Sequence, residues 1–194
     1  MHKPGNAFGG FSKTHKMPCY SFGTPAWLCR IGGLLAEVVG SICSRCYALE
    51  GRYSTPVVKN AQLRRHKKLV KAINNPNYAR QWVREFVKCI KVCRLTPDCE
   101  HWLPTKEKKL AKSIGERFKP ENLRVRVSSA MVDASPLVVP SWLNTSTVHS
   151  KGNFDKERQL YKCPVTKEKN TCDDWNCRRC WDDIANTSYK EIER

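Results

Sequence analysis

Residues 99–127 read CEHWLPTKEKKLAKSIGERFKPENLRVRV, and this stretch decides the fold. An apolar segment at residues 99–104 precedes Thr105, where we expect a basic helix to begin and to run to about Phe118. Apolar and charged side chains then alternate over residues 123–127, which is typical of a strand. A strand, a helix and a second strand in this order predict a right-handed β-α-β unit with parallel strands. The sequence therefore predicts an α/β protein.

In a unit of this kind, functional groups gather where the strands end. The corresponding positions in this chain are Pro104, Thr105, Lys106, Ser128, Ser129 and Asp133. Among them, we predict that Asp133 forms a polar site with Ser128 and Ser129.

The chain length and the 40% of hydrophobic residues allow one domain of moderate core over residues 1–194. Within it we expect a loose arm at residues 1–18, a cysteine-rich loop at 19–54, an α/β core at 55–135 and an irregular cysteine-rich segment at 136–194. The core begins with a helix from Thr55 to about Asn74, because Thr can cap a helix and Pro56 is tolerated in its first position.

A second helix is predicted to begin near Asn77. Its apolar stripe has three- and four-residue spacing and consists of Tyr78, Trp82, Phe86, Cys89 and Cys93. Free cysteine is among the most buried residue types, so we interpret Cys89 and Cys93 as core residues, with a shared metal as the alternative.

Cysteine is unusually frequent, with 11 residues in the chain, and eight of these form two groups. The first group is Cys19, Cys29, Cys43 and Cys46, and the second is Cys163, Cys172, Cys177 and Cys180. Each group contains a Cys-x-x-Cys pair, whose short spacing places two thiolates on one metal ion or cluster without straining the backbone. We therefore predict that the first group binds a cofactor and that the second binds metal.

Disulfides are the alternative use of so many cysteines, and they require an oxidising compartment. Residues 1–16 are polar and glycine-rich, unlike a secretory signal with its apolar run of about seven to fifteen residues. No later window approaches the roughly 18 consecutive apolar residues of a membrane helix. We expect a cytoplasmic protein, in which metal ligation is favoured over disulfides.

The spacing of the first group favours a [4Fe–4S] cluster over zinc. Cys19, Cys29 and Cys43 are separated by nine and thirteen residues, and a cluster accepts thiolates from distant loops, whereas a zinc ribbon usually joins two tight knuckles. For the second group, iron–sulfur and zinc both remain open. Ligands from the two groups could also share one cluster.

Positive charge is the second unusual property, because 35 Lys and Arg against 18 Asp and Glu give a formal net charge of +17. The basic residues are distributed over Arg64, Arg65, Lys67, Lys68 and Lys71, over residues 106–112, and over Arg124 and Arg126. This charge makes nucleic acid a candidate partner, and solvated helix faces are the alternative interpretation.

Several stretches resemble the phage Gene product 88 family. They are KMPCYSFGTPAWLC, GSICSRCYALEGRY, HWLPTKE, LRVRVSSAMVD and CPVTKEKNTCDDWNCRRCWD, spread over residues 16–182. The resemblance implies a partial β/α barrel similar to the core of radical S-adenosylmethionine enzymes, and Cys43 to Ala48 resembles the cluster loop of that superfamily. Similar proteins have a further strand where REFVKCIKVCRLTPD runs straight through, so a shortened barrel is expected.

Three functions follow as hypotheses. The first is an iron–sulfur protein of phage origin with a redox, sensing or structural role in the host cytoplasm. The second is an enzyme similar to the radical S-adenosylmethionine enzymes. The third is a zinc-stabilised basic protein that binds nucleic acid.

Overall fold

The computed structural model describes residues 9–13, 16–77, 93–114, 119–166 and 168–191. Its helices are α1 (Arg30–Ala36), α2 (Pro56–Asn74), α3 (Lys108–Ile114) and the short α4 (Lys156–Gln159). Its strands are β1 (Ser12–Lys13), β2 (Tyr20–Ser21), β3 (His101–Thr105), β4 (Leu123–Val132), β5 (Asn144–His149), β6 (Tyr161–Lys162) and β7 (Asn186–Lys190). β1 and β2 form an antiparallel pair, and the other five strands form one sheet.

The predicted β-α-β unit is confirmed. β3 and β4 pair in parallel, with Trp102 opposite Arg124, and α3 lies between them in the chain. The helix begins at Lys108 rather than at the predicted Thr105, which is the last residue of β3. The hydroxyl oxygen of Thr105 instead accepts a hydrogen bond from the Glu107 backbone N–H at 3.0 Å. The predicted end of the helix, at residues 115–118, lies outside the described residues.

The apolar core lies against β4. Val125 and Val127 are fully buried, and they pack in one cluster with Cys93, Ala111, Leu123 and Leu143. Cys93 is 5% exposed, which confirms its core interpretation. Cys89 and most of the predicted second helix lie outside the described residues.

The five-stranded sheet has the order β3-β4-β5-β7-β6, and all of its strand pairs are parallel. The α/β class is therefore confirmed. The described strands form an open sheet with β3 and β6 at its edges, and β7 lies between two strands that precede it in the chain. The partial barrel that the resemblance implies stays a prediction.

The prediction of an irregular segment from residue 136 onwards is wrong, because this segment contains β5, β6 and β7. Most residues of β5 and the first three residues of β7 are polar and buried. Asn186 accepts a hydrogen bond from the Thr145 hydroxyl at 2.9 Å and donates to the Thr147 hydroxyl at 3.1 Å. Such mutual hydrogen bonds remove much of the cost of burying polar groups, which is why strands without an apolar pattern form here.

The helix from Pro56 to Asn74 is confirmed. Its buried residues are the polar Gln62 and Arg65 and the apolar Ala72. The Arg65 guanidinium donates to the carbonyl of Gly10 at 2.8 Å and to that of Gly23 at 3.1 Å. This side chain therefore fastens the N-terminal segment to α2.

Residues 19–54 are more regular than a loop, because they contain α1 and four 3₁₀ helices. Within the described part of the chain, no helix is both long and apolar enough to cross a membrane.

Candidate metal centres

The 3₁₀ helix Ile42–Arg45 positions two cysteines of the first group beside β4. Cys43 lies within this helix and Cys46 follows it directly. Ser41, which precedes the helix, forms a bridge with Met131, and the Val132 backbone N–H donates to the Gly40 carbonyl at 2.9 Å. The cysteine pair is thus held at the carboxyl end of β4.

Cys29 joins this pair from a different segment of the chain. It occupies the N-cap of α1, where its sulfur accepts a hydrogen bond from the Gly32 backbone N–H at 3.3 Å. Burial raises the pKa of the Cys43 thiol, Lys106 lowers this pKa, and Cys46 and Cys29 raise it further through their charge. The three thiols therefore share one electrostatic environment.

Lys106 is the cation of this group. Burial lowers the pKa of its ammonium group, and the charges of Cys43, Cys46 and Cys29 act in the opposite direction. Its Nζ also donates a hydrogen bond to the Ser129 carbonyl of β4 at 3.0 Å. A lysine at the end of β3 was predicted as a functional position, but its role as a charge partner of the cysteines was not.

Cys19 lies in a segment that contacts the second group. Its backbone N–H donates to the Met17 carbonyl at 2.8 Å, and the neighbouring Lys16 carbonyl accepts from the Cys172 backbone N–H at 2.9 Å. The segment that contains Lys16 and Cys19 therefore contacts the loop of the second group at Cys172. Three of the four predicted N-terminal cysteines act on one another through their charges, and the segment of the fourth contacts the C-terminal group.

The second group is brought together by β6, β7 and the loop between them. Cys163 follows β6 and donates through its backbone N–H to the Ser188 carbonyl of β7 at 2.8 Å, while the Cys177 backbone N–H donates to the Cys172 carbonyl at 2.9 Å. Burial, together with the charges of Cys180, Cys177 and Cys172, raises the pKa of Cys163 to about 11. The pKa of Cys172 is also raised to about 11, by burial and then by Cys180 and Cys177.

Two tyrosines contact the sulfurs of the second group. The Tyr161 hydroxyl lies 3.4 Å from the sulfur of Cys177, and the Tyr189 hydroxyl lies 3.1 Å from that of Cys180. Burial, followed by the charge of Cys180, raises the pKa of Tyr189 well above its usual value. Tyr189 therefore keeps its proton and can donate it in a hydrogen bond to a thiolate.

The cysteines of each group act on one another electrostatically, but their sulfurs form no coordination shell in the described part of the chain. Within the described ranges, no three Cys, His, Asp or Glu side chains have the geometry of a metal site. Every cysteine that the structure describes is a free thiol, so the disulfide alternative gains no support.

The sequence profile of the Gene product 88 family matches residues 74–183, more than half of the chain. The chain belongs to this family of phage proteins. No curated protein and no solved structure matches the chain. The matched range includes the C-terminal cysteine group, whereas Cys29, Cys43 and Cys46 precede it. The part of the resemblance drawn from residues 16–53 therefore lies outside the matched range.

Arg126, within the range matched by the family profile, is a residue beside the second cysteine group whose role the sequence did not reveal. Its side chain is fully buried, and it donates hydrogen bonds to five carbonyls. The acceptors are the carbonyls of Thr145 at 3.1 Å, Arg179 at 3.2 Å, Cys180 at 3.2 Å, Asp182 at 3.0 Å and Ile184 at 2.9 Å. Four of these belong to the loop that contains Cys180, so one buried cation fixes that loop.

The predicted polar site at Asp133 is not assembled, because its members have other partners. Asp133 accepts hydrogen bonds from the backbone N–H and the hydroxyl of Ser150, at 2.8 and 2.7 Å. The Ser128 hydroxyl contacts that of Ser146 at 2.9 Å, and the Ser129 hydroxyl donates to a loop carbonyl at 3.1 Å. Asp133 therefore fastens the loop that follows β5.

Proposed function

We propose that this phage protein binds metal through both cysteine groups. The first site is an iron–sulfur cluster held by Cys29, Cys43 and Cys46. The second site is a thiolate-bound metal, zinc or a second cluster, held by the four C-terminal cysteines. The proposal implies a reducing compartment such as the host cytoplasm, where thiols remain free for ligation.

The convergence of Cys29 with Cys43 and Cys46 carries the proposal. These residues come from separate segments, yet their charges act on one another beside β4. Burial and neighbouring thiolates raise the pKa of a thiol, so several thiolates are unfavourable in one place. A bound metal offsets this free energy because it stabilises the thiolate form. The corners of a [4Fe–4S] cluster lie several ångströms apart, so thiolates from separate segments suit it.

Cations beside each group provide independent support. Lys106 acts on the first group and Arg126 acts on Cys180. A cluster or zinc ion with three or four thiolates has a net negative charge, which a neighbouring buried cation offsets. We infer a redox, sensing or structural role, in which the cluster supplies electron storage and the chain supplies ligands and compensating charge.

A second candidate is an enzyme similar to the radical S-adenosylmethionine enzymes. The grouping of three cysteines favours it, because a [4Fe–4S] cluster with three protein thiolates keeps one iron free for a substrate. Reductive cleavage of S-adenosylmethionine by the loaded, reduced protein would support this candidate. Absence of cleavage by a protein with a complete, reducible cluster would exclude it.

Metal analysis of protein purified without oxygen tests the main proposal. We expect about four iron and four sulfide per chain at the first site, with a broad absorption band near roughly 400 nm. The double variant Cys43→Ala/Cys46→Ala should lose this iron, and Cys177→Ala/Cys180→Ala should lose the metal of the second site.

Cys93→Ala is the matched control, because Cys93 is a buried core residue. This variant should lose stability but keep the metal content of the unmodified protein. Equal iron and zinc contents in all three variants, or metal-free unmodified protein, would overturn the proposal.

A further inference from the structure

Helix α2 has an exposed row of polar and basic side chains that neither cysteine group uses. Asn60, Arg64, Lys67 and Lys71 follow one another at three- and four-residue spacing, so they lie along one face, and all four are exposed. The helix contains no Asp or Glu. This row, which we call the basic row, is therefore uninterrupted by acidic side chains of its own helix.

The basic row borders a hollow and is held in a fixed position. The hollow has a volume of about 350 Å³ and is lined by Asn60, Leu63, Arg64, Lys67 and Lys68. On the opposite side of α2, Gln62 and Arg65 are buried. Arg65 is hydrogen-bonded to the N-terminal segment, and Arg64 of the basic row also donates to it, from its Nε to the Gly9 carbonyl at 3.3 Å. The buried side of α2 therefore fixes the helix in place, and the cations of the basic row lie on its exposed side.

We propose that the basic row binds the phosphate backbone of single-stranded nucleic acid. Lys and Arg clustered along one helix are the electrostatic footprint of a protein that binds nucleic acid. At 1.5 Å per residue, the distance from Asn60 to Lys71 is about 16 Å, which is long enough to contact consecutive phosphates of one strand.

An exposed tryptophan favours nucleic acid over other polyanions. Trp27 is 42% exposed, and the Nζ of Lys59, near the start of α2, lies 6.0 Å from its ring centroid. Unpaired bases stack on aromatic rings next to cationic grooves, whereas acidic peptides and lipid headgroups offer no base to stack. The tryptophan therefore favours a single strand over a duplex.

Fluorescence anisotropy with labelled DNA strands of about 20 nucleotides, in roughly 50 to 300 mM salt, tests the proposal on the full metal-loaded chain. Arg64→Gln/Lys67→Gln/Lys71→Gln should weaken binding at least about tenfold and make the salt slope smaller by about two. The single variant Lys67→Gln should weaken binding by a smaller factor, and it provides the test if the triple variant does not fold.

The control variant Lys108→Gln/Lys109→Gln/Lys112→Gln removes three exposed cations from α3 and the same total charge. It should bind nearly as tightly as the unmodified chain. Equal losses in the two triple variants would overturn the proposal, as would salt-independent binding. Binding to vesicles of acidic phospholipid with none to DNA would also overturn it. Metal content, measured in parallel, separates failure of this proposal from failure of the cysteine sites.

Discussion

Replacing Arg126 with Met should destabilise the loop of the C-terminal cysteine group. The guanidinium is fully buried and donates to five carbonyls, four of them in that loop. The Ile184 carbonyl also accepts from the Asn144 side chain at 3.1 Å, so it keeps a partner. The carbonyls of Arg179, Cys180 and Asp182 would lose this donor. At about 1 to 2 kcal/mol for each lost hydrogen bond from the charged guanidinium, the free energy of unfolding should fall by about 3 to 6 kcal/mol.

Urea denaturation of the metal-loaded protein measures this loss, together with the metal retained by each variant. Arg126→Lys should recover part of the stability, because one ammonium group has three donors in place of five. Arg124→Met is the comparison on the same strand, because Arg124 donates to one carbonyl, that of Glu121, and has an ion pair with Glu100 at 3.8 Å. It should cost about 1 to 2 kcal/mol, less than Arg126→Met. An Arg126→Met protein within about 1 kcal/mol of the unmodified chain would refute the reasoning.

Two further predictions concern the sulfurs of the second group. In protein kept metal-free by a chelator, the free energy of unfolding should fall as the pH rises from about 9 to about 11, because the folded-state pKa of Cys163 and that of Cys172 are raised from 9.0 to about 11. Below this window the protonated thiols favour the folded state. When metal is bound, the thiolates stay ligated, so denaturant titrations should show constant stability from about pH 9 to about pH 11. Tyr189→Phe removes a hydroxyl 3.1 Å from the sulfur of Cys180, so it should cost about 1 kcal/mol of stability and speed the loss of metal to a chelator. The control Tyr53→Phe should retain metal like the unmodified protein.

The β-α-β unit could be predicted because its information is local. Apolar and charged residues alternate along β4, and a basic helical pattern precedes it. The neighbouring strand β5 could not be predicted, because Thr145 and Thr147 are buried through hydrogen bonds to Asn186, which is distant in the sequence. Polar residues that satisfy one another across a sheet leave no apolar period for a sequence to display.

The candidate sites were predictable only in part for the same reason. Cys-x-x-Cys spacing identifies Cys43 with Cys46, but the approach of Cys29 and Lys106 depends on how the N-terminal segment meets β4. Arg124 and Arg126 occupy equivalent positions in an alternating pattern, yet the side chain of the first is 16% exposed and the second is fully buried. Arg126 is distinguished by the carbonyls of the cysteine loop that accept its hydrogen bonds. These carbonyls are distant in the sequence, so the local pattern does not show which arginine they contact.

β6 and β7 are parallel neighbours in the sheet, so the connection between them must return to the same end of the sheet. Neighbouring parallel strands require a crossover, which is usually an α-helix packed on the sheet. In the described part of this connection, the regular element is the single-turn 3₁₀ helix Asp173–Trp175. All four C-terminal cysteines and four of the five carbonyls bound by Arg126 lie along the connection or at its start. A metal ion at these cysteines would serve in place of a crossover helix. Loss of that metal would then remove the support of a central strand rather than of a peripheral loop.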